Sequence, residues 1–99
     1  MPDVLLTLYC AGADGALIAG TLRSATGRAV HLREETVFGH DFSDASTAER
    51  VTGQLDRRAI DVTLPEESVT SVIGAVERLN RAAPVRWHVT PLVAGGRLP

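Results

Sequence analysis

Cys10, His31, His40, Asp41 and His88 carry the donor atoms that soft and borderline metals prefer. Thiolate, imidazole and carboxylate hold zinc, nickel or copper when three or four of them converge at about 2.0–2.3 Å from the ion. No close-spaced ligand motif is present, so any such site has to be assembled by the fold. His40 and Asp41, directly after Gly39, form the best pair because a loop can adapt to an ion. The second chemistry is that of arginine, which supplies all ten basic residues. Arg57 and Arg58 at the start of one extended stretch, Arg86 near the start of another and Arg50 between them offer guanidinium forks to a phosphate or carboxylate. Each reading has a plainer alternative: solvated histidines, Cys10 as a small buried hydrophobe, and arginines paired with acids such as Asp56 and Glu49. With no lysine, a Schiff base or Walker lysine is excluded. The sequence also lacks a P-loop, a Gly-x-Ser-x-Gly elbow and a Cys-x-x-Cys pair.

The elements that must position these residues follow from apolar spacing. Val4 to Cys10 is a run of strand formers that stops at Ala11–Gly15, and Asp14 is expected to cap a following helix. Leu17, Ile18, Thr21, Leu22 and Ala25 share one face of that helix, and Gly27 stands where a left-handed C-terminal glycine belongs. Val30 to Phe38 reads as an edge strand. Residues 40–54 are polar, and Ser46-Thr47-Ala48-Glu49 has capping-box form, which predicts one short helical turn through Val51 before Gly53. Arg58 to Leu64 alternates, with Ile60, Val62 and Leu64 on one face of a third strand. Pro65, Glu66 and Glu67 open a second helix. Val69, Val72, Ile73, Val76 and Leu79 form its stripe, Arg78 and Arg81 its last turn, and Pro84 its limit. Val85 to Thr90 alternates as a fourth strand, which Pro91 confines to an edge.

The order βαββαβ predicts an α+β, ferredoxin-like sandwich in which two helices cover one face of a four-stranded antiparallel sheet, with residues 1–99 as one domain. The other face carries Leu5, Thr7 and Tyr9 from strand one and Arg86, His88 and Thr90 from strand four, a mixture suited to a subunit interface. The topology also gathers Cys10, Asp14, His40, Asp41, Arg57, Arg58, Arg86 and His88 at one end of the sheet, with His31 at the other. A chain of 99 residues, 44% apolar, buries roughly two thirds of its unfolded surface, which leaves little room for a deep pocket within one subunit. Twelve carboxylates against ten arginines give a net charge of −2, so there is no broad positive field for nucleic acid or an acidic membrane. The apolar run from Val4 to Cys10 is too short for a signal peptide or a membrane span. A soluble cytoplasmic protein is expected, without direct membrane insertion and without an internal disulfide.

Three features together carry a family likeness: the βαββαβ order, the long polar excursion over 40–54, and the ending Trp87-His88-Val89-Thr90-Pro91-Leu92-Val93-Ala94-Gly95-Gly96-Arg97-Leu98. With the Gly39-His40 step and the run Ala48-Glu49-Arg50-Val51-Thr52-Gly53, the sequence resembles the PII superfamily of small trimeric signalling proteins. Within it, the chain is similar to an uncharacterised PII-like domain of unknown function carried beside heavy-metal efflux systems. The resemblance implies a homotrimer whose sheets face inward and whose intersubunit clefts hold a small effector, near His40, Arg50, Arg58, Arg86 and a neighbour's Arg97. The related trimeric family linked to divalent-cation tolerance makes a metal role equally natural, and the ligand types suit zinc, nickel or copper. The nucleotide-binding members carry glycine and lysine between the second helix and strand four. Asn80-Arg81-Ala82-Ala83-Pro84 has neither, and 40–54 has no modifiable tyrosine, so neither nucleotide binding nor uridylylation is expected. The expected function is a non-enzymatic sensor that binds a metal ion at His40, Asp41, His88 and Cys10 or a small anion at the arginines, and acts on a partner such as a metal-efflux transporter. A small enzyme with an intersubunit histidine base and a ligand-free interaction module are the alternatives.

Overall fold

Val4, Leu6, Leu8 and Cys10 alternate with Leu5, Thr7 and Tyr9, and in the computed structural model they lie in strand β1 (Asp3–Ala11). The structure describes residues 2–38 and 47–99. A 3-10 turn over Gly12–Asp14 leads into helix α1 (Gly15–Thr26). Gly27 ends it in the left-handed conformation, φ 67°, with its N–H donated to the Arg23 carbonyl at 2.9 Å, the geometry that favours glycine there. Strand β2 (Val30–Val37), the short helix α2 (Thr47–Thr52) and strand β3 (Leu55–Pro65) follow. A 3-10 turn over Glu66–Ser68, helix α3 (Val69–Glu77) and strand β4 (Arg86–Pro91) complete the order.

The strands lie in the order β2-β3-β1-β4, every neighbouring pair antiparallel. This is the ferredoxin-like arrangement, with β2 and β4 at the edges as their patterns require. Leu6 stands opposite Val62 on one side and Val89 on the other. The same register puts Val4, Leu6, Leu8, Cys10, Ile60, Val62 and Leu64 on one face, beneath Ile18 and Leu22 of α1 and Val69, Val72 and Val76 of α3. Burial of these side chains is the main driving force holding the two layers together.

Two boundaries depart from the sequence reading. Strand β3 begins at Leu55 rather than Arg58, because the backbone ladder with Ala11 and with Thr36 and Val37 continues past the apolar alternation. Helix α3 stops at Glu77, so Arg78 and Arg81 lie beyond it rather than in its last turn. The Leu79 N–H turns back to the Val76 carbonyl at 3.1 Å, a tightening typical of a helix end.

Candidate functional site

The end of β1, the start of β3, the end of β2 and the start of β4 meet at one end of the sheet. Strand alternation then decides which side chains share a face. Tyr9, Glu35, Val37, Leu55, Arg57, Arg86 and His88 point to the face without helices, where together with Trp87 at the β4 edge they line a cavity of about 350 Å³. The Tyr9 and His88 rings, diagonal neighbours on adjacent strands, lie 5.5 Å apart at 35°, within the range of favourable ring contacts. Carbon-rich walls thus meet two guanidiniums and an imidazole against one carboxylate, Glu35.

Arg57 is buried and held in place. Its Nη1 lies 3.2 Å from the Glu49 carboxylate and donates to the Asp56 carbonyl at 2.8 Å. Glu49 also accepts the Asp56 N–H, so this α2 side chain is directed to the start of β3. The capping box expected of it involves Ser46, which lies outside the described residues. Arg58 points to the opposite face. It donates to Asp56 at 2.7 Å, approaches Glu34 at 3.6 Å, and packs so closely on Gly15 that a Cβ there would stand 2.9 Å from its Cγ. Adjacent residues of one strand diverge, so Arg57 and Arg58 do not form a joint fork, and the plainer reading of pairing with Glu49 and Asp56 describes both.

Arg50 is exposed on α2 and does not line the cavity. Arg97 is exposed in the final segment, whose residues Leu92, Ala94, Gly95 and Gly96 border a groove with Pro2, Asp3 and Thr63 at the other end of the sheet. Of the four proposed metal ligands, His40 and Asp41 lie outside the described residues. Cys10 and His88 stand on opposite faces of the sheet, so one chain does not bring both to one ion. Among the described residues no group of three or more histidine, cysteine, aspartate or glutamate side chains could hold a metal. Burial, followed by the nearby Asp14 charge, raises the Cys10 thiol pKa against smaller opposing effects of Arg58 and Arg57. Cys10 is therefore a protonated member of the core.

Asp14 also differs from its expected role. Its side chain makes no hydrogen bond to the start of α1. Instead its carboxylate, buried at 4% exposure, accepts the Ala82 and Ala83 N–H groups on the far side of α3.

One polar group on the open face escaped the sequence reading. Asp61 accepts a hydrogen bond from Thr7 at 2.7 Å and another from Arg33. Alternation alone places the three on one face, but only the register Thr7↔Asp61 and Ala59↔Arg33 brings them together. Burial raises the Asp61 pKa, yet the Arg33 and Thr7 hydrogen bonds and the nearby positive charge of Arg33 outweigh it, and the carboxyl titrates below its ordinary range. A depressed folded-state pKa stabilises fully above the unfolded value of about 3.9 and is lost as pH falls through the lower folded value. Asp61→Asn should therefore cost stability at neutral pH and cost progressively less below about pH 4. Urea midpoints measured across pH 2–7 check this, and a constant offset between variant and wild type would contradict it.

Among the described residues, no helix is long and apolar enough to cross a membrane. Three solved structures show the fold shared by this chain. A DUF3240 family protein from Shewanella baltica OS155 is 16% identical, with TM-score 0.77 over 100% of this chain and 99% of that one. A Bacillus cereus protein related to NIF3 is 16% identical, with TM-score 0.69 over 96% of this chain and 26% of that one. Arabidopsis thaliana PII bound to citrate is 13% identical, with TM-score 0.68 over 92% of this chain and 78% of that one. No curated protein matches the sequence. The family described as "Protein of unknown function (DUF3240)" matches residues 2–99, and the chain, PII-like in its fold, belongs to that family.

Proposed function

We propose that this chain is a non-enzymatic regulator that assembles as a homotrimer through its open sheet face and takes a small anionic effector in the cavity bordered by Tyr9, Arg57, Arg86 and His88. The observation that carries this reading is the cavity itself. Its volume of about 350 Å³ suits a small molecule, its walls are largely carbon, and the guanidiniums of Arg57 and Arg86 line it beside the carboxylate of Glu35, with Glu49 pairing Arg57. Guanidinium groups recognise carboxylates and phosphates through paired N–H donors. The Arabidopsis PII of similar fold is described as bound to citrate, a polycarboxylate, which favours carboxylates as the first class to test. A rigid sheet supplies the site, and the polar 40–54 stretch, which in sequence lies between the cavity-lining Val37 and Leu55, is the segment we assign to partner contact. A membrane transporter is the partner class suggested by the PII-like resemblance.

A regulatory reading is favoured over an enzymatic one because the only cysteine is buried and protonated, and the His88 ring lies tilted against Tyr9. In calorimetric titrations with citrate and other small di- and tricarboxylates, at least one should bind the wild type. Arg86→Ala should weaken that binding by about tenfold or more, the loss of one charge-assisted contact of roughly 1.4 kcal/mol or more. Arg86 is the better probe because it is exposed, whereas Arg57 is buried. Failure of every carboxylate to bind, or equal affinities for wild type and Arg86→Ala, would remove the anionic effector.

A further inference from the structure

The loop between α3 and β4 presents two consecutive backbone donors to a single carboxylate. The Ala82 N–H reaches both Asp14 oxygens, Oδ1 at 2.9 Å and Oδ2 at 3.0 Å, and the Ala83 N–H reaches Oδ2 at 3.2 Å. Successive N–H groups converging in this way form a concavity that binds anions, whatever side chains the residues carry. The carboxylate has no helix-capping role at α1 to explain its burial. Burying a charge is strongly unfavourable unless it is paired or hydrogen-bonded, and these loop donors are what compensates Asp14. The loop holds more donor capacity than Asp14 uses. Arg81 donates through Nη1 to the Ala83 carbonyl at 3.3 Å, and its Nε is buried without a hydrogen-bond partner among the described residues.

We propose that the α3–β4 loop is an oxyanion site whose resident ligand is the chain's own Asp14 carboxylate, and that this occupancy keeps external carboxylates and phosphates out of it. The tether makes the internal ligand effectively concentrated, so an external anion competes poorly while Asp14 is present. Specificity at this loop is set by a side chain from the start of α1, far away in sequence. The site is separate from the cavity on the open face, since Asp14 belongs to the helix side of the sheet, and it stands whether or not that cavity binds an effector.

Removing the carboxylate should empty the site and expose it to solution anions. Asp14→Gly is expected to melt lower than wild type by roughly 10 °C, as loss of several charge-assisted bonds implies. Sodium acetate, sodium formate and inorganic phosphate, each at the ionic strength of a sodium chloride control, should recover part of that loss by binding the folded state. The readout is the change in the variant minus the change in wild type in the same salt, because phosphate stabilises folded proteins nonspecifically. Recovery by acetate and formate alone would define a site for planar carboxylates, and recovery by phosphate as well would define a general oxyanion site. An unchanged melting temperature, or recovery no greater than with chloride, would overturn the proposal. Should Asp14→Gly fail to fold, Asp14→Asn decides the matter, because its amide keeps the shape and one acceptor oxygen but no charge. Its Ala82 and Ala83 amides should exchange faster with solvent than those of wild type, and unchanged exchange at both would overturn the proposal.

Discussion

Leu8→Ala should lower the stability of the folded chain by about 2–5 kcal/mol, a large part of the roughly 5–15 kcal/mol typical of a small domain. Leu8 is fully buried in β1, between Ile60 of β3 and Trp87 of β4. Hydrogen-bonded ladders hold its strand from both sides, so the sheet cannot close over the missing carbons and a cavity remains. Urea denaturation should show a lower midpoint with an unchanged slope, and the melting temperature should fall by roughly 10 °C or more. Leu98→Ala, at a residue 94% exposed in the final segment, should change stability by no more than about 0.5 kcal/mol. A loss below about 1 kcal/mol for Leu8→Ala would mean that the centre of β1 is not the packed core described here.

Leu5→Asp should leave the fold in place and abolish assembly. Leu5 lies on the face without helices, between Thr63 and Thr90 in register, so its replacement opens no cavity in the helix-covered core. In a trimer built on this face, the change would bury a new carboxylate in every subunit without a partner, at a cost that an interface of standard size cannot absorb. Sedimentation velocity should show a trimer for the wild type and a monomer for the variant, with equal far-ultraviolet circular dichroism. A wild type that sediments as a folded monomer would remove the proposed assembly. A variant that remains trimeric would move the interface to another surface.

The sheet and its two main helices were legible because their apolar residues repeat with the period of the element that carries them. Val69, Val72 and Val76 mark α3 as clearly as Ile60, Val62 and Leu64 mark β3. Gly27 was legible as a helix end because a positive φ is a requirement of one residue rather than of a fold. What could not be read was any partner chosen by three-dimensional proximity. Alternation did predict that Tyr9, Arg86 and His88 share a face. It equally implies that Arg57 and Arg58 part company, a consequence that grouping them by position along the chain overlooked. Asp14 had the residue type and location of a helix cap, and nothing local signals that its carboxylate serves Ala82 and Ala83 instead. Thr7, Arg33 and Asp61 are three unremarkable polar residues until the register of three strands is known.

Strand β1 comes first in the chain yet occupies an interior position of the sheet, with Leu6 facing Val62 on one side and Val89 on the other. Neither neighbour can be recruited by a tight hairpin, so its ladders close only after long stretches of intervening chain have been brought together, and the entropy of closing those loops must be overcome before the contacts repay it. During folding, the early segment remains an apolar strand with two unsatisfied edges, open to mispairing with another copy at high concentration. The same interleaving gives the finished fold its cooperativity. Pulling β4 away exposes β1, and loosening β1 deprives β3 of a neighbour, so neither end of the chain can unravel without disturbing the centre.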